Sequence, residues 1–294
     1  MDDIGSSFDR VLRGTVATVA IQALSRPFGY SPYCGAAPNP WTLLSRWNLD
    51  PILLTFLAVA LFAYVALAEH KTRQPPIALW RRGCFYAGWA TGVAALISPL
   101  CALSVSLFSA RLGQHMILET IAAPLIAIGL PSRLFTGPSP VPRTAARRHW
   151  ELIAAAAFAA TLWFWHAPAP YAATFSGPAI YWLMHATSFG AALWLWRAVL
   201  EAPGERIGGF LAAMFATTLQ MGFLGALLTF SARPLYAVHA FTTSAWGLSP
   251  LEDQQLGGII MWIPAGAIFL TAIVAGLAAV LQRAGSRPMA VART

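Results

Sequence analysis

The chain has 294 residues, is 57% hydrophobic and only 10% charged, and its mean hydropathy is +0.61. This composition excludes an ordinary soluble domain and predicts an all-α, polytopic integral membrane protein. Its formal net charge of +8 does not point to nucleic acid, because the arginines fall between apolar runs instead of forming a patch interleaved with exposed aromatics.

The opening residues 1–27 contain an apolar run, but Asp2 and Asp3 stand where a signal peptide carries positive charge. We read 1–49 as an N-terminal tail with an interfacial helix; the alternative is that residues 11–24 form an eighth, half-inserted segment. A bilayer core of about 30 Å takes about 20 mostly apolar residues per helix. Seven segments meet that requirement, near 51–69, 83–108, 114–131, 150–166, 178–199, 207–230 and 256–281. They predict a seven-helix bundle over 50–283 followed by a short tail, 284–294.

Basic residues set the orientation, since cytoplasmic loops retain Lys and Arg. Lys71, Arg73, Arg81 and Arg82 follow the first segment, Arg133, Arg143, Arg147 and Arg148 follow the third, and Arg283, Arg287 and Arg293 lie at the end. The expected topology therefore has the N-terminus outside and the C-terminus in the cytoplasm of a bacterial inner membrane. Arg10, Arg13, Arg26 and Arg46 before the first segment run against it. Trp-rich stretches such as 41–47, 162–166 and 193–197 suit the headgroup layer.

Cys34, Cys84 and Cys101 are too few and too scattered for a disulfide framework, and no C-x-x-C occurs. On this topology His70 and His149 lie on the basic side, whereas His115, His166, His185 and His239 lie at or just below the outer surface. Ionisable groups in the hydrocarbon are costly and tend to face a bundle interior. His115 and Glu119 are one helical turn apart on a shared face. They read equally as an intrahelical hydrogen bond or as part of a metal site. Imidazole, thioether and thiolate suit copper, Cu(I) above all, so His115, His166, His185, Glu119 and Cys101 are the candidate metal ligands. Met116, Met184 and Met261 read as core fillers. Arg111 puts a fixed positive charge one turn before His115, and Glu119 is the group expected to balance it.

Ahead of the last segment, Glu252, Asp253, Gln254 and Gln255 follow Ser249. The Ser-x-x-Glu spacing resembles a capping box. The rest of the run, with Arg233, is expected to line a polar pocket or to dock a partner.

Three stretches together, "SPLCALSVSLFSARLGQHMILETIAAPLIAIGLP" (98–131), "FWHAPAPYAATFSGPAIYWLMHATSF" (164–189) and "GALLTFSARPLY" with "GLSPLEDQQLGGIIMW" (225–262), resemble the polytopic CtaG family of cytochrome c oxidase assembly factors. The resemblance implies a non-catalytic seven-helix protein that serves haem–copper oxidase maturation. Copper binding or delivery at the outer side is implied with it, and the partners are oxidase subunits and a copper donor protein. Where the family shows H-M-x-Q-H, this chain has "RLGQH", so Gln114 and His115 match while Arg111 and Leu112 replace the first two positions. His166 and His185 fit family positions, and Cys101 is an untypical thiol. Two rival readings are a metal-free scaffold that docks oxidase subunits through "LEDQQ", and a redox protein whose histidines ligate haem b.

Overall fold

A computed structural model of the chain describes residues 30–69, 77–131, 149–201 and 207–285. The N-terminal residues 11–24, His70 and most of the basic residues that set the expected orientation lie outside these. Among the described residues the protein is all helical, with no strand.

The first long helix, α1 (Pro51–Glu69), is apolar throughout and lies at the edge of the bundle; α2 (Leu79–Ile97) follows. A single second span to residue 108 is expected from hydropathy, but the chain breaks twice. Pro99 has no N–H to give to Ala95, and α2 stops there; α3 (Leu100–Ser106) sets off at 49° to it. At Leu107 the backbone is extended (ψ 131°), and α4 (Phe108–Met116) starts anew. The third span therefore begins at Phe108, six residues earlier than hydropathy suggests. It continues through a π-helical turn, Ile117–Ala122, into α5 (Ala123–Gly129).

This rod, Phe108–Gly129, is the axis of the molecule: 61% of its apolar window is buried, against 11% for α1. Around it stand α6 (Trp150–His166), the short α7 (Pro168–Ala173), α8 (Pro178–Leu200), α9 (Ile207–Thr229) and α10 (Pro250–Gly285). Four helical stretches, at 51–68, 108–129, 207–229 and 250–282, are long and apolar enough to cross a membrane, and α2 with α3 makes a fifth if the bent pair is one path. The protein is thus a membrane protein by length and composition. At the expected fourth and fifth positions, α6 has 17 residues and α8 is diluted by Trp, Tyr, His and Arg; neither meets that standard.

The breaks leave backbone carbonyls without helical donors, and specific side chains supply them. Ala95 O, freed by Pro99, accepts from Gln114 Nε2 at 2.8 Å. Asn48 covers the last carbonyls of α2, its N–H reaching Ile97 O and its Nδ2 reaching Leu96 O. In the π turn the Ala123 N–H bonds Leu118 O five residues back. The next donor in that register would be Pro124, which has none. The freed Glu119 O accepts from Trp196 Nε1 at 2.8 Å instead. At the far end of the rod, Arg81 and Arg197 donate to Ala127, Ile128 and Leu130 carbonyls, where cations also meet the negative end of the helix dipole.

Residues 30–50 form a strap across one end of the bundle. Ser31 N donates to Phe175 O, Ser106 Oγ to Pro38 O, and Tyr33 stacks on Tyr181. The Tyr33 hydroxyl donates to Asp50; burial, with that carboxylate, pushes Tyr33 up to about 12 and keeps the donor protonated. A disulfide, Cys34–Cys101, ties the strap to α3. It corrects the expectation of unpaired cysteines: three Cys make no framework, but two of them meet because the 49° bend at Pro99 turns α3 beneath the strap. Cys101 is therefore not a thiolate and drops out of the candidate ligands in this state.

Helix α10 reaches α4 and α9 through paired glycines. A Cβ on Gly257 would strike the Phe108 ring at 2.6 Å, and one on Gly258 would meet Gly225 O at 2.7 Å. Such small-residue contacts let membrane helices approach closely. Gly258→Ala should cost about 1–3 kcal/mol by overpacking, read as a lower unfolding temperature of the detergent-purified protein.

Candidate functional site

Three of the four histidines expected near one end converge. His115 lies two turns into α4, His185 two turns into α8, and His166 closes α6. The His115 and His185 rings are 5.0 Å apart. His166 and His115 share a cavity of about 10 Å³ with Glu119, Thr161 and Ser188, closed by Phe158, Leu162 and Trp165. This volume suits one water or one ion.

Each of these histidines has its Nδ1 beside an acceptor. His166 Nδ1–H donates to Leu162 O at 2.7 Å and His185 Nδ1–H to Tyr181 O at 3.2 Å. His115 Nδ1 faces the Glu119 carboxylate at 3.4 Å. Acceptors at Nδ1 fix the proton there and turn Nε2 into a lone pair. The Nε2 atoms of His115 and His185 are buried and have no partner in the protein. The intrahelical His115–Glu119 contact thus exists, but it leaves the ligating nitrogen of His115 free. His239 stands apart, its Nε2 spent on the Tyr171 hydroxyl at 2.7 Å.

As a metal site the arrangement fits in part. Among the described residues no three His, Cys, Asp or Glu side chains form a group that would hold a metal ion. What remains is a pair of unpartnered imidazole nitrogens, a donor set suited to a soft, low-coordinate ion. Met116 and Met184 are buried in the core, as expected of fillers.

Arg111 is buried, and its charge is not balanced by Glu119. Its Nη2 donates to Thr174 Oγ1 at 2.7 Å, and its guanidinium sits 4.4 Å from the Phe175 ring centre, 5.0 Å from Tyr171 and 5.7 Å from Tyr181. The geometry explains the departure: Glu119 is two turns further along the rod, in the π turn, with its carboxylate directed at His115.

The acidic run before α10 is turned inward at its centre. Asp253 is fully buried and accepts from the Phe108 N–H (2.7 Å), the Ser109 N–H (3.1 Å) and Ser109 Oγ (2.5 Å). It thereby caps α4, whose own N-cap residue, Leu107, has no side chain to do so. Gln254 Oε1 accepts from Leu235 N, and Gln255 Nε2 donates to Ser231 O. Ser249 and Glu252 close the capping box, each N–H meeting the other's side-chain oxygen. Arg233 is exposed, and only its carbonyl meets this group, through Ser231 and Gln254. Asp253 and Gln254 do not form the docking surface or open pocket expected of them, because a partner cannot reach them.

Sequence reasoning misses Tyr181, Trp196 and the Arg111 cage of Tyr171, Thr174 and Phe175. The i, i+4 spacing of Tyr181 and His185 was the available signal for the first. The Glu119-to-Pro124 spacing was the signal for the π turn that recruits the second.

Fold and site together define a helical membrane protein with a buried, histidine-bearing centre close to one end of its bundle. A family model described as cytochrome c oxidase caa3 assembly factor (Caa3_CtaG) matches residues 60–283. The chain belongs to this family. No curated protein and no solved structure matches it.

Proposed function

We propose that this oxidase assembly factor holds copper as cargo for a haem–copper oxidase, at the outer side of a bacterial inner membrane. His115 and His185 supply the ligating Nε2 atoms, His166 lies across the cavity from His115, and Glu119 orients His115. The observation that carries the reading is the pair of buried, unpartnered Nε2 atoms on rings 5.0 Å apart. An unsatisfied polar atom in a membrane protein interior is expensive, and a metal ion is one partner that a lone pair of this kind accepts. The cavity that His115 and His166 line, of which His185 is not a wall, is too small for a porphyrin.

The orientation rests on the disulfide as well as on loop charge. Disulfides persist in oxidising compartments, which supports an outer position for the strap, the Cys34–Cys101 bond and the nearby histidines. The full seven-crossing path, with α6 and α8 completing the five stretches named above, agrees with that placement. The partners are oxidase subunits and a copper donor protein.

Metal analysis and a visible spectrum on one detergent-purified sample test the proposal. Copper at about one ion per chain is expected, and His115→Ala with His185→Ala should lose it. Wild-type protein that takes up no copper in either redox state refutes the reading, and a Soret band replaces it with haem.

A further inference from the structure

Nothing in copper holding uses the strap, yet its place relative to the histidine pair is specific. The His185 ring is packed against three others: His115 at 5.0 Å, Tyr181 at 4.3 Å and Trp182 at 5.7 Å. Two of these three are covered in turn by the strap, because the Tyr33 ring lies 4.8 Å from Tyr181 and 5.1 Å from Trp182. Tyr33 thus stands over the rings that shield the buried, unpartnered Nε2 of His185.

The next residue, Cys34, fastens that cover through its bond to Cys101. The two sulfurs are not equivalent. Cys34 is a partly exposed residue of the strap, whereas Cys101 has no exposed surface. Cys101 Sγ lies 3.5 Å from Asn48 Nδ2 and 3.7 Å from the Tyr181 hydroxyl, which is also 3.5 Å from Cys34 Sγ. An incoming thiolate meets Cys34 first, and Cys101 leaves as a thiolate beside two hydrogen-bond donors that stabilise it.

We propose that Cys34–Cys101 is a thiol–disulfide exchange site for a protein dithiol, and that its reduction lifts the strap from Tyr181 and Trp182 and opens the histidine pair to solvent. One thiolate of the dithiol attacks Cys34 Sγ; the Cys34–Cys101 bond breaks and its electron pair goes to Cys101. The second thiolate attacks the dithiol sulfur now joined to Cys34, so the dithiol departs as a disulfide and Cys34 is released. Two electrons pass from the dithiol to the cysteine pair, and the two thiol protons end on Cys34 and Cys101. In an oxidising compartment the bond stays closed until a dithiol of sufficiently low potential reaches it. The strap is then held by single hydrogen bonds and ring contacts worth about 1 kcal/mol each, and it opens locally while the bundle stays folded. Such a gate acts on access, whatever group the pair receives.

The test uses the full chain purified in detergent, with glutathione as a monothiol, dithiothreitol as the dithiol, and diethyl pyrocarbonate as a probe of reachable imidazole nitrogen. Glutathione should form its mixed disulfide on Cys34 and not on Cys101, read by peptide mass after an acid quench. Dithiothreitol should reduce the bond while amide exchange in α4 and α10 stays slow. Once the reductant is removed and the thiols are capped with iodoacetamide, His185 should react about 100-fold faster than in the oxidised protein, the factor by which the strap opens. The exposed His149 should react equally in both. Cys34→Ser should give the same rise at His185 with neither reductant nor cap. An adduct on Cys101 alone, or a bond that yields only when the bundle unfolds, overturns the exchange step. His185 equally protected in oxidised and reduced protein overturns the gate, and this comparison decides even if Cys34→Ser fails to fold. Wild type that binds no copper refutes the metal-holding reading and leaves these outcomes as they stand.

Discussion

Asp253→Ala should destabilise the folded protein by about 3–5 kcal/mol, one of the largest single-residue effects the structure implies. The substitution leaves the Phe108 and Ser109 N–H groups and the Ser109 hydroxyl without their buried acceptor. Loss of a helix cap costs up to about 2 kcal/mol, and each buried donor left unsatisfied costs about 1–3. Asparagine keeps one acceptor oxygen, so Asp253→Asn should fall between wild type and alanine. Thermal unfolding of purified protein gives the order. An alanine variant as stable as wild type that nevertheless fails in oxidase assembly would mean that Asp253 contacts a partner after all.

The burial of Asp253 is not legible in the sequence for a physical reason. A polar run directly before an apolar helix looks the same whether it faces water or caps another helix. What decides is the extended backbone at Leu107, which starts α4 without a local cap. That break lies inside a continuous apolar stretch where hydropathy gives no warning. Long apolar segments such as 51–69 and 207–230 were legible because one property, hydrophobicity over the bilayer thickness, determines them. The positions of α6 and α8 were legible too, although their crossing the membrane rests on proposal.

The candidate site was legible in its histidines but not in its charges. His115, His166 and His185 come together, and the intrahelical His115–Glu119 contact follows from helix geometry alone. The fate of Arg111 does not, since its cage is built by Tyr171, Thr174 and Phe175, from a short helix and turn between α6 and α8. Similarly, the pairing of Cys34 with Cys101 depends on the bend at Pro99, and no cysteine spacing encodes it. Proline and glycine carried more structural information here than the polar motifs did. Pro99 and Pro124 each free one carbonyl, and each carbonyl recruits a side chain, Gln114 or Trp196, that locks the rod against α2 or α8.

Cys34→Ser should release the strap while leaving the bundle assembled. For a fully unfolded chain, a cross-link closing a loop of 67 residues is worth about 4 kcal/mol by loop entropy. That loop contains α1 and α2, and helices that stay inserted in the membrane do not gain the full entropy of an unfolded chain. The loss therefore falls on the local equilibrium of residues 30–50, whose remaining ties include the Ser31–Phe175, Ser106–Pro38, Asn48–Ile97 and Asn48–Leu96 hydrogen bonds and the Tyr33–Tyr181 and Tyr30–Phe175 stacks. Amide exchange in this segment should accelerate by two to three orders of magnitude, the equivalent of about 3–4 kcal/mol, with α4 and α10 unchanged. In intact cells, the proposed outward orientation of the strap predicts that a membrane-impermeant maleimide labels Cys34 of the wild type only after reduction. Labelling without a reductant, or strap exchange unaltered by Cys34→Ser, would remove the disulfide from this account and with it the structural support for the outer placement of the histidines.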